Sequence, residues 1–213
     1  NLDTSRVFHK TGAGILPVDV IKENNDYKIV MTQGKIEFGN IIDGINKEKL
    51  LKALNIKESD LIENYKIQIV STGHSKVIIG IKRIETLHSL KPNYDDLSKL
   101  SKTINCNGYY VFTMDSDNAD ILVHGRMFAP AIGINEDPVT GNANGPLGAY
   151  FVHYNFVKHN NPSLKFKAKQ GEAINRSGII EVEVKIEDNE PTEIKISGDA
   201  VVIFKSELVL ENK

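Results

Sequence analysis

The residues best suited to acid–base chemistry in this 213-residue chain lie between Met127 and Tyr150. Two adjacent carboxylates, Glu136 and Asp137, are followed by Pro138, Val139 and Thr140 and then by the glycine- and asparagine-rich run Gly141-Asn142-Ala143-Asn144-Gly145. Pro146 closes that run, and proline is tolerated in the first turn of a helix, where its missing N–H has no intrahelical partner. The segment Gly141 to Val157 therefore reads as a helix, its helical residues beginning within two positions of Ala143. Leu147, Tyr150, Phe151, Tyr154 and Val157 make one apolar face, while Ala149, Val152 and Phe156 make much of the other apolar as well. A helix apolar nearly all round is a buried one. Its glycine-rich start leaves up to four backbone N–H groups free, with the positive end of the helix dipole behind them, which is a ready anion site. Asp137 stands just upstream, in a loop. In a partly enclosed pocket desolvation raises such a carboxyl's pKa, and it then works as a general acid or base while the neighbouring amides hold a substrate carboxylate. A second reading stays open, in which Glu136 and Asp137 occupy a turn and Thr140 or Asn142 caps the helix.

Other chemistries fit the chain less well. Cys106 is the single cysteine, so an internal disulfide and a cysteine zinc site are both excluded, and it reads as a small buried hydrophobe. The six histidines show no metal-ligand spacing. His74, in Ser71-Thr72-Gly73-His74, falls between two strand patterns and reads as a surface or turn residue. His153 lies in the buried helix as a core or rim residue. In His124-Gly125-Arg126, Arg126 is placed on a strand either to pair with a nearby carboxylate or to reach a cleft. Glu136 is expected to be solvated, the alternative being that its charge raises the pKa of Asp137. Lysine and arginine number 26 against 28 acidic residues, a net charge of −2 with four arginines and no basic block, so nucleic acid is not an expected partner. No apolar run approaches the ~20 residues of a membrane span. A cytoplasmic protein with no membrane contact is the expectation.

The elements that must position these residues read as α+β, with many strands, few helices and no strict alternation. Residues 14–21 and 27–32 predict a hairpin, with Pro17 placing its first strand at an edge or bulge. Asn46 to Leu54 predicts a short helix burying Leu50, Leu51 and Leu54. Strands follow at Lys66 to Val70 and Lys76 to Ile81, the latter buried on both faces. A second helix spans Tyr94 to Ile104 after the start signal Pro92-Asn93, with Leu97, Leu100 and Ile104 inward. Strands then recur at Tyr109 to Met114, Ala119 to Phe128, Leu164 to Lys169, Ile179 to Ile186 and Thr192 to Phe204.

Arg126-Met127-Phe128-Ala129-Pro130, Gly133, Glu136-Asp137-Pro138-Val139-Thr140-Gly141 and Gly145-Pro146-Leu147 resemble the signature of the phenazine-biosynthesis PhzF-like isomerases. Further likenesses run along nearly the whole chain, at Leu50 to Leu54, Val77 to Gly80, Gln170 to Glu172 with Arg176-Ser177, and Ile196 to Val201. The resemblance implies a diaminopimelate-epimerase-like fold of two similar domains, each wrapping a sheet around a central helix, with substrate between the two helix starts. It also implies cofactor-free proton transfer, with no metal, on a small carboxylate-bearing metabolite, in a homodimer. Carried over, Asp137 is the catalytic acid of the second domain, and Thr140, Gly141, Asn142 and Ala143 bind substrate at the helix start. Asn142 stands where the family more often has serine; it can hydrogen-bond but cannot relay a proton as a hydroxyl can. The family's other acid/base, a glutamate, and its Gly-His helix start precede the segment matching Val7 to Val20, so the chain reads as lacking an N-terminal part. The expected division is a first-domain remnant with linker at 1–55, a second domain at 56–203 and a tail at 204–213. A non-catalytic small-anion-binding protein of the same fold is the alternative.

Overall fold

The computed structural model describes residues 3–23, 26–159 and 162–207. Twelve strands and four helices follow in chain order: β1 (Asp3–Thr11), β2 (Gly14–Glu23), β3 (Asp26–Thr32), β4 (Glu37–Ile41), α1 (Gly44–Leu54), β5 (Gln68–Ser71), β6 (Lys76–Gly80), α2 (Ile84–Ser89), α3 (Tyr94–Ile104), β7 (Tyr109–Thr113), β8 (Val123–Ala129), β9 (Ile134–Asp137), α4 (Gly141–His153), β10 (Ser163–Gln170), β11 (Gly178–Glu187) and β12 (Glu190–Ala200). The fold class is α+β, as expected. One sheet holds the strands in the order β1-β2-β3-β12-β11-β10-β8-β7-β6-β5-β4, with β9 attached to β8.

The sheet wraps around α4, which packs on β10, β11 and β12 from one side and on β5 and β6 from the other. Every residue of α4 from Ala143 to Val152 is buried, as its all-round apolarity predicts. A second core lies on the opposite face of β6 to β8, under α1, α2 and α3. Strand alternation divides β6 between the two: Ile78 faces α4, while Val77 and Ile79 face the outer helices. Burial on both faces follows.

α3 has the bounds read from sequence, and the Asn93 side chain accepts the Asp96 amide at 3.1 Å. Other boundaries need correction. The hairpin's first strand is not an edge: β1, unforeseen, pairs with it along Asp3–Thr11 and takes the edge position. Pro17 is accommodated because the ladder between β2 and β3 starts only at Val18, so no donor is asked of it on that side. β12 stops at Ala200 rather than Phe204, where its ladder with β3 ends at Tyr27. α4 runs from Gly141 to His153, not to Val157; Asn155 adopts a left-handed φ of 53° and ends the turn. Among the described residues no helix is long and apolar enough to cross a membrane.

Gly125 on β8 makes room for a ring that links the sheet to the central helix. A Cβ there would lie 2.2 Å from the Tyr110 hydroxyl, and Tyr110 is wholly buried. Its hydroxyl donates to Asn144 Oδ1 of α4 at 2.6 Å, and burial pushes the phenol's pKa far up. Gly125→Ala should displace that ring and orphan the Asn144 carbonyl, lowering stability in urea by about 3 kcal/mol. A variant as stable as the parent would contradict the packing described.

Candidate active site

Glu136 and Asp137 do not lie in a loop. They end β9, a short strand that pairs with β8 through Asp137 and Met127. Alternation sends the two side chains to opposite faces. Glu136 is neither solvated nor a charge neighbour of Asp137: Arg126 grips it bidentately, with Nε and Nη2 donating at 2.9 and 2.7 Å. Both side chains are over nine-tenths buried. The guanidinium also donates to the backbone carbonyls of Leu87 and Leu90 at 3.0 Å, which ties down the end of α2. Of the two roles open to Arg126, the structure shows carboxylate pairing.

Asp137 is half-buried and faces the start of α4. Its carboxylate accepts the Thr140 hydroxyl, so the expected cap is diverted. Thr140 occupies the N-cap position in an extended conformation, yet no side chain caps the helix. The Ala143 and Asn144 amides bond to the Thr140 carbonyl at 3.2 Å, whereas those of Gly141 and Asn142 have no partner among the described residues. The uncapped amides are thus those of the first two helical residues, while the Ala143 amide is engaged and its side chain fully buried.

Two buried amides hold this turn, and neither was picked out from sequence. Gln170, at the end of β10 and fully buried, donates Nε2 to the Asp137 carbonyl at 2.8 Å and to Thr140 Oγ1 at 3.1 Å. Its Oε1 accepts the Thr140 amide at 3.3 Å and Asn144 Nδ2 at 3.2 Å. Asn144 Nδ2 also donates to the Thr140 carbonyl at 2.9 Å. An asparagine inside an otherwise apolar helix, four residues after a threonine, was the available signal, because such a side chain bonds back to the i−4 carbonyl. Pro146 was expected in the first turn. It stands at the sixth helical residue, where it removes the amide that would have met the Asn142 carbonyl. Gln170 fixes Thr140 as the cap, and the helix starts at Gly141, within the expected two residues of Ala143.

Asn142 is exposed at the rim, where its Oδ1 accepts Gln33 Nε2 at 3.2 Å. Gln33 in turn accepts the Thr72 hydroxyl, so the β5–β6 loop, the end of β3 and the first turn of α4 are joined. The remaining sequence candidates lie elsewhere. His124 is buried between Glu172, 2.6 Å from its Nδ1, and Ser116, 3.0 Å from its Nε2. His153 sits at the rim, stacked on Phe38 with ring centroids 4.1 Å apart. Cys106 is buried in the outer core, as expected. Among the described residues no group of His, Cys, Asp or Glu is placed to hold a metal ion.

Gln170→Leu keeps the volume and removes all four hydrogen bonds of the clamp. Urea unfolding should show a loss of about 2–4 kcal/mol, and hydrogen exchange at the Thr140 and Asn144 amides should accelerate before that of the β11 and β12 amides. Uniform acceleration would mean that the clamp has no local role.

The matched family model, Phenazine biosynthesis-like protein (PhzC-PhzF), spans residues 1–206. An uncharacterized isomerase of Clostridium acetobutylicum is 76% identical over 210 residues, which are 99% of this chain and 70% of that protein. Uncharacterized isomerase YddE of Escherichia coli is 41% identical over the same shares of each chain. Among solved structures, the Bacillus anthracis phenazine biosynthesis protein of the PhzF family superposes with a TM-score of 0.78 at 27% identity, covering 94% of this chain and 70% of that one. By the match over 206 residues and by these identities, the chain belongs to the phenazine biosynthesis-like PhzC-PhzF family.

Proposed function

We propose that the chain contributes one wall of a cofactor-independent isomerase site acting on a small carboxylate-bearing metabolite. The observation that carries this is the start of α4: a buried, uncapped helix with the Gly141 and Asn142 amides free, and the Asp137 carboxylate held three residues away by Thr140. An anionic group on the substrate would be met by those amides and the helix dipole. Asp137 would then exchange a proton with a carbon next to that group, its carboxylate taking the proton and its carboxylic acid form returning one. The name isomerase borne by the relatives of C. acetobutylicum and E. coli supports the reaction class. The second acid/base, a glutamate in the proposal, belongs to the portion of such proteins that this chain does not span.

The Gln170–Asn144 clamp fits this chemistry because it fixes the backbone from the Asp137 carbonyl to Thr140 while leaving the Asp137 side chain one hydroxyl contact. A positioned acid/base contributes typically about 10²–10⁴-fold to rate. In heavy water the full-length protein should incorporate deuterium into small carboxylic acids bearing an acidic C–H. Asp137→Asn should reduce that exchange by about 10²–10⁴-fold with circular dichroism unchanged. Exchange at the parental rate in the variant would refute the assignment. Binding without exchange in the parent would favour the non-catalytic anion binder.

A further inference from the structure

We infer that Lys76 is the cation that receives a substrate carboxylate at the start of α4. This rests on the site reading above and adds to it the charge that selects the substrate class. Lys76 opens β6 and is 2% exposed. Alternation puts it on the face of Ile78, toward α4, and away from Val77. Its stem lies flat over Gly108: a Cβ at that glycine would be 2.3 Å from Lys76 Cδ. The backbone leaves a slot for this side chain.

A lysine buried to this degree is ordinarily paired with a carboxylate, since an isolated charge away from water is costly. Arg126 obeys that rule through Glu136. Lys76 does not: among the described residues its Nζ meets His74 Nδ1 at 2.6 Å and the Ser75 carbonyl at 3.3 Å, and no carboxylate is paired with it. An ammonium has three protons to donate and two are accounted for. The carboxylate whose field reaches it is Asp137, the proposed acid/base, which together with Cys106 opposes the effect of burial. The loop that carries Lys76 is also tied to the helix start, because Thr72 bonds Gln33 and Gln33 bonds Asn142.

Burial lowers the Lys76 pKa to about 8, so near neutral pH the group still holds its proton. The ionisable groups facing it are His74 on its own loop, whose pKa is lowered by the Lys76 charge and by burial, Cys106 before β7, and Asp137 on β9. The phenol of Tyr110 on β7 is pushed far up by burial, and the first turn of α4 contributes no ionisable side chain. A bound carboxylate favours the charged ammonium and raises its pKa. Affinity should therefore be full below about pH 8 and decline as pH rises above it.

The test is a titration of the full-length, ¹³C-labelled protein with benzoate and with succinate, read from the non-exchanging ¹³Cα resonances of Gly141 and Asn142 at pH 7 and pH 9.5. The parent should bind at pH 7 and lose roughly tenfold or more in affinity at pH 9.5, in line with the group's titration. Lys76→Met should bind at least about tenfold more weakly at pH 7 and show no further decline. Lys76→Arg should retain binding and lose the pH dependence, because a guanidinium does not titrate in this range. Lys76→Met binding with the parental affinity and pH profile overturns the inference, as does a parent that binds neither acid at pH 7. Should both variants misfold by circular dichroism, the parent's pH profile, repeated in Cys106→Ala and His74→Asn, decides: loss of the decline in either variant assigns it to that residue and overturns the inference. Deuterium exchange in Asp137→Asn separates the two proposals. Lys76-dependent binding without Asp137-dependent exchange leaves this inference standing and removes the isomerase reading, and the reverse result removes this inference alone.

Discussion

The turn between β9 and α4 depends on a single buried exchange of amide hydrogen bonds between Gln170 and Asn144. Each side chain has a donor and an acceptor end, and each end is occupied: Gln170 by Asp137, Thr140 and Asn144, and Asn144 by Thr140, Gln170 and Tyr110. Buried polar networks of this kind are stable when every member is satisfied and costly when one is not. Satisfying both amides fixes Thr140 as the N-cap. It also turns the Thr140 hydroxyl toward Asp137 and leaves the amides of Gly141 and Asn142 free. The same bonds tie three elements that are far apart in sequence: the end of β10, the start of β7 and the start of α4.

The two neighbouring acids on β9 show how a pleat separates roles. Glu136 turns to the outer side and is neutralised by Arg126, whose remaining donors hold the end of α2. Asp137 turns toward α4 and keeps a hydroxyl as its partner. Carboxylates adjacent in sequence therefore meet different partners here, and the Arg126–Glu136 contact serves the scaffold.

Much of the site was legible because its residues are constrained by backbone geometry that leaves a mark in sequence. A glycine- and asparagine-rich run ahead of an all-apolar helix announces a buried helix start, and Asp137 next to it announces a carboxylate. The outer helix α3 was equally plain, since Asn93 caps it and Leu97 and Leu100 face inward. What escaped was decided by partners distant in the chain. β9 has exposed residues at its start and only four in all, so nothing in its pattern separates it from a loop until β8 lies beside it. β1 is exposed along nearly all its length and shows no period-2 contrast. Pro17 looked like an edge signal because the late start of the β3 ladder is a matter of register, not composition. Gln170 carries no local signal at all, because its four hydrogen bonds reach residues 26 to 33 positions away.

The composition of α4 has a kinetic side. Gly141, Gly145, Gly148 and an internal Pro146 make it a poor helix on its own, no side chain caps its start, and its entire middle is apolar. Its stability comes from β5 and β6 on one flank and β10 to β12 on the other, and Gln33 meets Asn142 across 109 residues. Such a helix cannot nucleate folding by itself. Loop closure over most of the chain must come first, which places the protein among the slower, non-local folders. The turn between β9 and α4 therefore takes shape only as the sheet closes around the helix axis.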